Sequence, residues 1–474
     1  MPITRTINAG QSGVFQWYLP GLMAYALILH LIMYIYDVMH PELFMNTDRA
    51  SSRLSAINDL GTIISQGHGL PHFLAYHGIA GDYLPQGMLY FLGGQSAVIL
   101  GQIMLLVISL FALYKLAFML TASARASCSA AIIYLHLPHS LFLTHVLAAE
   151  AIYDPLLVIS FYLTLHGIQK NVKLYALIGG AALLGIATLI RPITALWPFV
   201  MLVLFITYGT SWRRAVLYLC FSMLPLVLWA LFIGNMTGKY SLGASNHDLT
   251  HNLYKRVERI ASTLPKQRAQ SIRNEYLTFT DRSKGVLSVS TYIRFVSQYP
   301  DAYLAQLGRE GVIFFGKSGL DTLILNYFPV DPHIISRLHD KKNGWKNQIE
   351  RQGWVSGVAG LLSKYPGLII SSLVGSIVFI VFLAFSTFGA WDQLKRRAGS
   401  SPHQLQKIGY IALALFPIYL FVTSQVVGNM TSRHRAPSEF TLCILAVTGC
   451  LAWRASRLEK KKSTNITDAI DSEQ

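Results

Sequence analysis

LYALIGGAALLGIATLIRPITALWPFVMLVLFITYG, residues 174–209, is the stretch that decides the fold class. It contains two apolar runs, 174–190 and 193–209, and Arg191 is the only charged residue within or between them. A helix that crosses a bilayer needs about 20 mostly apolar residues, with a lower limit of about 17. The two runs and their Arg-Pro junction therefore predict a helical hairpin in a membrane.

The composition of the whole chain extends this prediction. Hydrophobic residues make up 53% of the 474 residues and charged residues only 13%, against about 25% charged residues in soluble domains. We therefore expect an all-α polytopic membrane protein and not a soluble globular fold. The net charge of +16 is assigned to lysines and arginines that flank the membrane and to one basic soluble segment. No compact basic-aromatic motif is present, so no nucleic-acid partner is expected.

Apolar runs recur along the chain and predict about ten membrane-spanning helices. The first run is too long for the apolar part of a signal peptide and lacks a small-residue cleavage site, so we interpret it as a retained helix. The four cysteines lie inside apolar runs without CxxC spacing and are interpreted as core residues. The predicted spans are 15–36, 95–118, 127–146, 151–168, 174–190, 193–209, 214–234, 366–389, 408–428 and 436–453.

Lysines and arginines in the short connections predict the orientation, because cytoplasmic connections are enriched in them. The basic connections are predicted on the cytoplasmic side of the membrane. The loop 37–94 lies on the opposite side in this arrangement; it carries two basic and five acidic residues and is predicted as the first outer loop. Both termini are then expected in the cytoplasm. The predicted organisation is a cytoplasmic N-terminus 1–14, a transmembrane core 15–234, an extracytoplasmic, membrane-associated helical segment 235–365, C-terminal spans 366–453, and a cytoplasmic tail 454–474 that is disordered after Lys462.

Asp48 is the first candidate for chemistry. It follows the first span in MNTDRA, residues 45–50, and is expected close to the membrane surface. A carboxylate in that place can act as a general base toward a sugar hydroxyl, or it can hold a metal ion. The alternative is a solvated aspartate that caps a helix, because NTDRASSRL resembles a helix start.

Two further segments offer acidic and aromatic side chains. GDYLPQGMLY, residues 81–90, places Asp82 and Tyr83 where they can contact a substrate, or it is an ordinary proline-containing helix start. In HVLAAEAIYDPLL, residues 145–157, Glu150 and Asp154 have the spacing that puts both carboxylates on one helix face. We expect these two acids to serve function, or else to pair with a neighbouring arginine or a helix N-terminus.

The candidate cations lie at the ends of predicted spans, near the same membrane boundary as the acids. Arg191 in GIATLIRP suits phosphate oxygens; alternatively it reaches the lipid headgroups or serves as a counter-ion for Glu150. SRHRAP, residues 432–437, brings Arg433, His434 and Arg435 to the start of the last span. These side chains can neutralise a phosphate or diphosphate leaving group, or they can bind anionic lipid.

If the spans cross the membrane alternately, the acids and the arginines of these segments all lie on one side of it. Charges of both signs near hydrocarbon, on a shared face, indicate a site for a polar, anionic substrate. The histidines at 68, 72 and 77 lie in a glycine-rich loop, and only the first two have helical spacing, so no zinc site is predicted.

The ordered set of motifs resembles the GT-C glycosyltransferases, especially bacterial members of the RgtA/B/C/D-like and protein-mannosyltransferase-like group. The resemblance rests on Asp48 in the first outer loop, on GDYLPQG before the next span, on Glu150 in AAEAIYDP, on GIATLIRP, and on SRHRAP. It covers most of 15–235 and 366–453. The family often has a second acid beside the first, whereas Arg49 follows Asp48 here, which weighs against a metal.

The resemblance implies an integral membrane glycosyltransferase with GT-C-like architecture. It would move a sugar from a polyprenyl-phosphate donor to a glycan, lipid or protein acceptor at the outer face of a bacterial plasma membrane, with inversion. Asp48 is then the first candidate for the base, Glu150 orients the acceptor or the arginines, and Arg191, Arg433 and Arg435 face the donor phosphate. No cofactor is identified, and a divalent metal, Mg or Mn, stays open.

Three other functions compete with this hypothesis. A transporter or flippase for lipid-linked sugars also needs cations near an anionic headgroup, but it would place charges through the membrane depth and often has inverted repeats. An O-antigen ligase or polymerase uses similar substrates without this acidic first loop. A noncatalytic lipid-binding subunit is the third alternative.

Overall fold

The computed structural model of the protein describes residues 12–45, 50–67, 69, 83–169, 174–238, 240, 246–262, 264–277, 287–316, 319–320, 323, 366–396, 404–424 and 435–473. The regular secondary structure of this part of the chain is helical, and the α-helices are numbered in chain order. The first nine are α1 (Ser12–Met39), α2 (Ala50–Gln66), α3 (Tyr83–Thr121), α4 (Ala124–His136), α5 (Pro138–Leu143), α6 (Glu150–Gly167), α7 (Leu174–Ile190), α8 (Trp197–Thr207) and α9 (Trp212–Thr237). The others are α10 (Asn246–Ser262), α11 (Lys266–Ile272), α12 (Val289–Gln298), α13 (Pro300–Gly316), α14 (Pro366–Arg396), α15 (Gln404–Ser424) and α16 (Glu439–Glu473).

Six of the described helices are long and apolar enough to cross a membrane. The prediction of an all-α polytopic membrane protein is therefore confirmed. The six segments are Trp17–Met39, Tyr83–Thr121, Trp212–Thr237, Leu373–Lys395, Gln406–Ser424 and Ala436–Glu459.

Four of the ten predicted spans fall outside this set. The predicted span 127–146 is broken, because Leu137 precedes Pro138 and takes an extended conformation that ends α4. The helix α8 has 11 residues, which reach about 17 Å of a hydrocarbon core of about 30 Å. The helices α6 and α7 keep the predicted bounds to within a residue, but at 18 and 17 residues they are not among the six.

The main hydrophobic core lies between the long helices and is centred on aromatic side chains. Trp197 at the start of α8 is almost fully buried. Its ring packs against Phe161 of α6, with centroids 5.7 Å apart, and against Phe416 of α15 at 4.8 Å in a T-shaped arrangement. Burying such rings contributes about 25 cal/mol per Å² of apolar surface, so this cluster joins α6, α8 and α15 into one unit.

Small residues let the two C-terminal helices α14 and α16 cross closely. A β-carbon at Gly389 would overlap the carbonyl oxygen of Leu445, and one at Gly449 would overlap that of Phe385. Glycines at membrane helix contacts allow this approach and the dispersion contacts that accompany it. The crossing sets the position of α16, whose first turn contributes to the site below.

The two ends of the bundle differ in their polar contacts. At one end, the side chain of Tyr410 donates to the carbonyl of Leu120 at 3.1 Å, and Arg214 donates to the carbonyl of Gln169 at 3.0 Å. At the other end, Glu150 pairs with Arg191, and we call this the Glu150 end. The ends of α1, α5, α7 and α13 and the turn before α16 meet there.

The helices α10 to α13 have a small hydrophobic core of their own, with Val257, Ile260 and Phe295 fully buried. A buried ion pair crosses it, in which Arg256 Nη2 lies 2.8 Å from Glu310 Oε2. On the surface, Arg268 donates two hydrogen bonds to Asp301 and thereby lowers the pKa of that carboxylate.

The C-terminal tail differs from its prediction. We expected disorder after Lys462, and this is wrong, because α16 continues to Glu473. Nucleation is the unfavourable step of helix formation. The apolar first half of α16 is already helical, so each polar residue that follows only has to extend the helix.

Candidate functional site

The predicted site residues divide into those that the structure describes and those that it does not. Glu150, Asp154, Arg191, Arg435 and Tyr83 are described. The others lie outside the described residues: Asp48, Asp82, Arg433 and His434. The histidines at 68, 72 and 77 also lie outside them. The helix start that the sequence indicates near Asp48 is present, because α2 begins at Ala50.

Glu150 and Arg191 form the centre of the described site. Arg191 Nη2 lies 2.9 Å from Glu150 Oε1. The carboxylate side chain is 0% exposed, whereas the arginine side chain is 22% exposed. The guanidinium carbon also lies 5.9 Å from the centroid of the Tyr153 ring. A buried acid thus holds an arginine whose side chain is still partly accessible.

Local sequence explains why both side chains project from helix ends. Glu150 is the first residue of α6, where a negative charge is favourable next to the helix N-terminus. Arg191 follows α7 and precedes Pro192, so it takes an extended conformation with φ −139° and ψ 110°. Tyr419 of α15 fixes the turn that follows, because its hydroxyl donates to the carbonyl of Ile193 at 2.7 Å.

Asp154 and Tyr83 occupy different places. Asp154 is buried in α6 one turn after Glu150, so the predicted i, i+4 face is present. Tyr83 is the first residue of α3 and packs against a small cluster formed by Ala56 and Leu60 of α2. Asp154 therefore adjoins the Glu150–Arg191 pair, and Tyr83 belongs to a separate apolar cluster.

Arg435 lies in a buried network at the start of α16. Its guanidinium donates to the carbonyl oxygen of Phe314 in α13 and lies 3.3 Å from Glu439 Oε1. The same carboxylate oxygen lies 2.8 Å from Nδ1 of His139 in α5. The guanidinium carbon is 3.9 Å from the centroid of the Phe379 ring. Arg435 thus joins α13, α14 and α16.

The two described arginines differ in their access to a ligand. The side chain of Arg435 is 0% exposed and bound by protein groups, whereas that of Arg191 is partly exposed. The phosphate role stays a prediction for both, and the geometry favours Arg191 for it. The Glu150–Arg191 pair and the Arg435–Glu439 pair belong to the same region of the protein, because α6 packs against the turn Ala436–Ser438.

Sequence reasoning missed two buried clusters at this end. One is His139 with Glu439. The sequence feature that could have revealed Glu439 is its position four residues after Arg435, the spacing of an ion pair on one helix face. The other is His145 with Asp37 and His30, all 0% exposed. The sequence assigns Asp37 to the outer loop 37–94, which is wrong, because α1 extends to Met39 and Asp37 is buried. Nothing in the local sequence marks His145 as its partner.

Among the described residues there is no group of three or more His, Cys, Asp or Glu side chains that could hold a metal ion. A cleft of about 200 Å³ lies at the end of the bundle opposite Glu150, lined by Thr121, Asp392, Tyr410 and Thr448 among others. It is separate from the Glu150–Arg191 pair.

Comparisons with known proteins give one weak likeness. No family model matches the chain, and no curated protein matches it. A solved structure with some similarity is the archaeal oligosaccharyltransferase AglB from Archaeoglobus fulgidus in complex with an inhibitory peptide and a dolichol-phosphate. The identity is 12% and the TM-score 0.37, over 82% of this chain and 43% of that one. The chain therefore spans less than half the length of that protein, and a likeness of this size establishes no shared activity.

Proposed function

We propose that the protein is an integral membrane glycosyltransferase that moves a sugar from a polyprenyl-phosphate donor to an acceptor hydroxyl on a glycan, lipid or protein. The proposal is supported by the ordered motifs of the sequence and by the arrangement of charges at the Glu150 end. The basic connections of the sequence support an outer-face location for this end. There an acceptor can enter from water while the donor's lipid stays in the bilayer.

The observation that carries the proposal is the Glu150–Arg191 pair. A fully buried carboxylate fixes an arginine whose side chain is 22% exposed. Arginine binds phosphate oxygens through a rigid fork of donors, and a preorganised cation of this kind stabilises charge as it develops. Arg191 is therefore assigned to the leaving phosphate, and Arg433 is proposed to assist it.

The chemical step is a single displacement at the anomeric carbon. The acceptor oxygen forms a bond to that carbon while the bond from the carbon to the phosphate oxygen breaks. The electron pair leaves with the phosphate, whose charge Arg191 neutralises. The acceptor proton passes to a carboxylate, for which Asp48 is proposed. Attack from the opposite face inverts the configuration of the sugar.

Membranes from a strain that lacks the gene test the proposal. We expect one surface glycan, glycolipid or glycoprotein to lose a single sugar. Complementation with the wild-type gene should restore it, and the Arg191→Met variant, expressed at the same level, should restore less. An unchanged set of glycans and lipid-linked intermediates in the deletion strain would contradict the proposed function.

A further inference from the structure

A buried chain of three titratable side chains joins α1 to the segment that precedes Glu150. Nδ1 of His145 is hydrogen-bonded to Oδ2 of Asp37, and Nε2 of His145 lies 2.7 Å from Nδ1 of His30. All three residues are 0% exposed, and the two imidazole rings are stacked 5.0 Å apart. The mechanism above uses none of them.

The same short segment, residues 144–149, is held by contacts from other elements. The N–H of Leu147 donates to the carbonyl of Phe44 at 3.0 Å. The amide side chain of Gln86, in the first turn of α3, donates to the carbonyl of Ala148 at 2.9 Å. Buried polar groups in low-dielectric surroundings rigidify a structure when they are hydrogen-bonded. Residues before and after α2 therefore converge on this segment.

The positions of these contacts along the chain relate two parts of the proposed site. Phe44 lies four residues before Asp48, and Leu147 lies three residues before Glu150. The main-chain hydrogen bond between Phe44 and Leu147 thus ties the described chain before α2 to the residues that lead into α6. Glu150 in turn holds Arg191.

We propose that His145, held by Asp37 and His30, is a positioning residue that fixes the C-terminal end of α1 against the Glu150–Arg191 pair. This inference rests on the proposed function and assigns the placement of the α1 end and of Phe44 relative to the Glu150–Arg191 pair to a buried imidazole. Misplacing reacting groups by about 1 Å can lower a rate about 100-fold. A loosened segment should therefore slow the chemical step more than it weakens donor binding.

The hydrogen bonds of His145 suggest a conservative replacement. Neutral imidazole that donates to Asp37 from Nδ1 accepts from His30 at Nε2. A glutamine side chain also offers a donor group, its NH2, and an acceptor, its carbonyl oxygen, but it carries no charge at any ordinary pH. His145→Gln should therefore keep the positioning function, whereas His145→Ala should lose it.

The test measures steady-state kinetics and hydrogen exchange of the full-length protein in nanodiscs. We expect His145→Ala to lower kcat at least tenfold with the KM for donor within twofold of wild type, and to accelerate exchange of the Leu147 amide. His145→Gln should recover most of kcat. The matched control is His136→Ala, which removes a hydrogen bond of α1 at a different place, that of Tyr25 to His136 of α4 at 2.7 Å, and should leave both constants within twofold of wild type.

Each contrary outcome is distinct. An unchanged exchange rate of the Leu147 amide in His145→Ala would show that His145 does not hold residues 144–149 in place. That result would overturn the proposal whatever the activity is. Faster exchange with wild-type kcat, or a loss confined to donor KM, would overturn the positioning role. Equal losses in His145→Ala and His136→Ala would indicate general destabilisation and overturn it as well. Absence of transfer by the wild-type protein would instead contradict the proposed function. The exchange result would still decide whether His145 holds residues 144–149 in place.

Discussion

Replacing Arg191 by methionine separates its two possible roles, a phosphate ligand and a counter-ion for Glu150. The substitution keeps an unbranched apolar stem and removes the guanidinium. It leaves the carboxylate of Glu150, which is 0% exposed, without the arginine that lies 2.9 Å away. Both folding stability and donor binding should therefore fall, for different reasons.

The magnitudes follow from burial and from the kind of hydrogen bond. Breaking a buried ion pair costs about 3–5 kcal/mol, but the partly exposed Arg191 pair is screened by solvent, so we expect a loss of about 2 kcal/mol in the free energy of unfolding. A hydrogen bond to a charged group is worth about 1.5–3 kcal/mol. At about 1.4 kcal/mol per tenfold change, losing the phosphate contact should weaken donor binding about 10- to 100-fold.

The double variant Arg191→Met with Glu150→Gln also removes the buried negative charge of Glu150. It should regain most of the lost stability, because a neutral amide replaces a buried carboxylate that has lost its arginine. Donor binding should stay weak, because no cation returns. The assays are thermal unfolding in detergent and titration with a polyprenyl-phosphate sugar, both performed on the two single variants and on the double variant.

The result that would refute this reasoning is recovery of donor affinity in the double variant together with stability. Arg191 would then be only the counter-ion of Glu150, and the phosphate would have to be bound by other groups. Unchanged donor affinity in Arg191→Met alone would lead to the same conclusion.

Three further predictions concern other parts of the chain. Asp48→Asn should abolish sugar transfer and leave expression and unfolding unchanged, and near-normal turnover by purified protein would reject Asp48 as the base. Arg435→Met should lower the free energy of unfolding by about 3 kcal/mol, because it removes the arginine partner of the buried Glu439 carboxylate; wild-type stability would reject the structural network. Gly449→Ala should lower the unfolding temperature by forcing α14 away from α16, whereas Gly308→Ala, which has no atom within 4 Å of the added β-carbon, should not.

The fold class could be predicted from the sequence because hydrocarbon imposes a simple rule. Runs such as 174–190 must be apolar and helical to satisfy their backbone in a bilayer. The break at Leu137 was missed because the apolar run continues through it, although Pro138 marks the site. Composition alone therefore located the helices better than it located where they end.

The candidate site was predictable only where charge and helix ends coincide. Glu150 and Arg191 were both singled out, and their pairing, which the structure shows at 2.9 Å, was an alternative open from the sequence. The spacing of Glu150 and Asp154 on α6 was also correct. Helical periodicity predicts such neighbours because it is a local property.

The remaining contacts join residues that are far apart in the chain. His145 meets Asp37 across 108 positions, and Glu439 meets His139 across 300. No local pattern identifies such partners, since each histidine alone is compatible with an ordinary core or surface residue. Burial of Asp37 was missed for the same reason, because an aspartate near the end of an apolar run more often faces water.

The most direct test of the central claim is product analysis with purified protein in liposomes. The donor is a polyprenyl-phosphate sugar labelled at the anomeric carbon, supplied with a soluble acceptor panel. The account predicts a new glycosidic bond of inverted configuration, formed by the wild-type protein and lost in Asp48→Asn. Movement of labelled lipid between the leaflets without any new glycosidic bond would identify a flippase and contradict it.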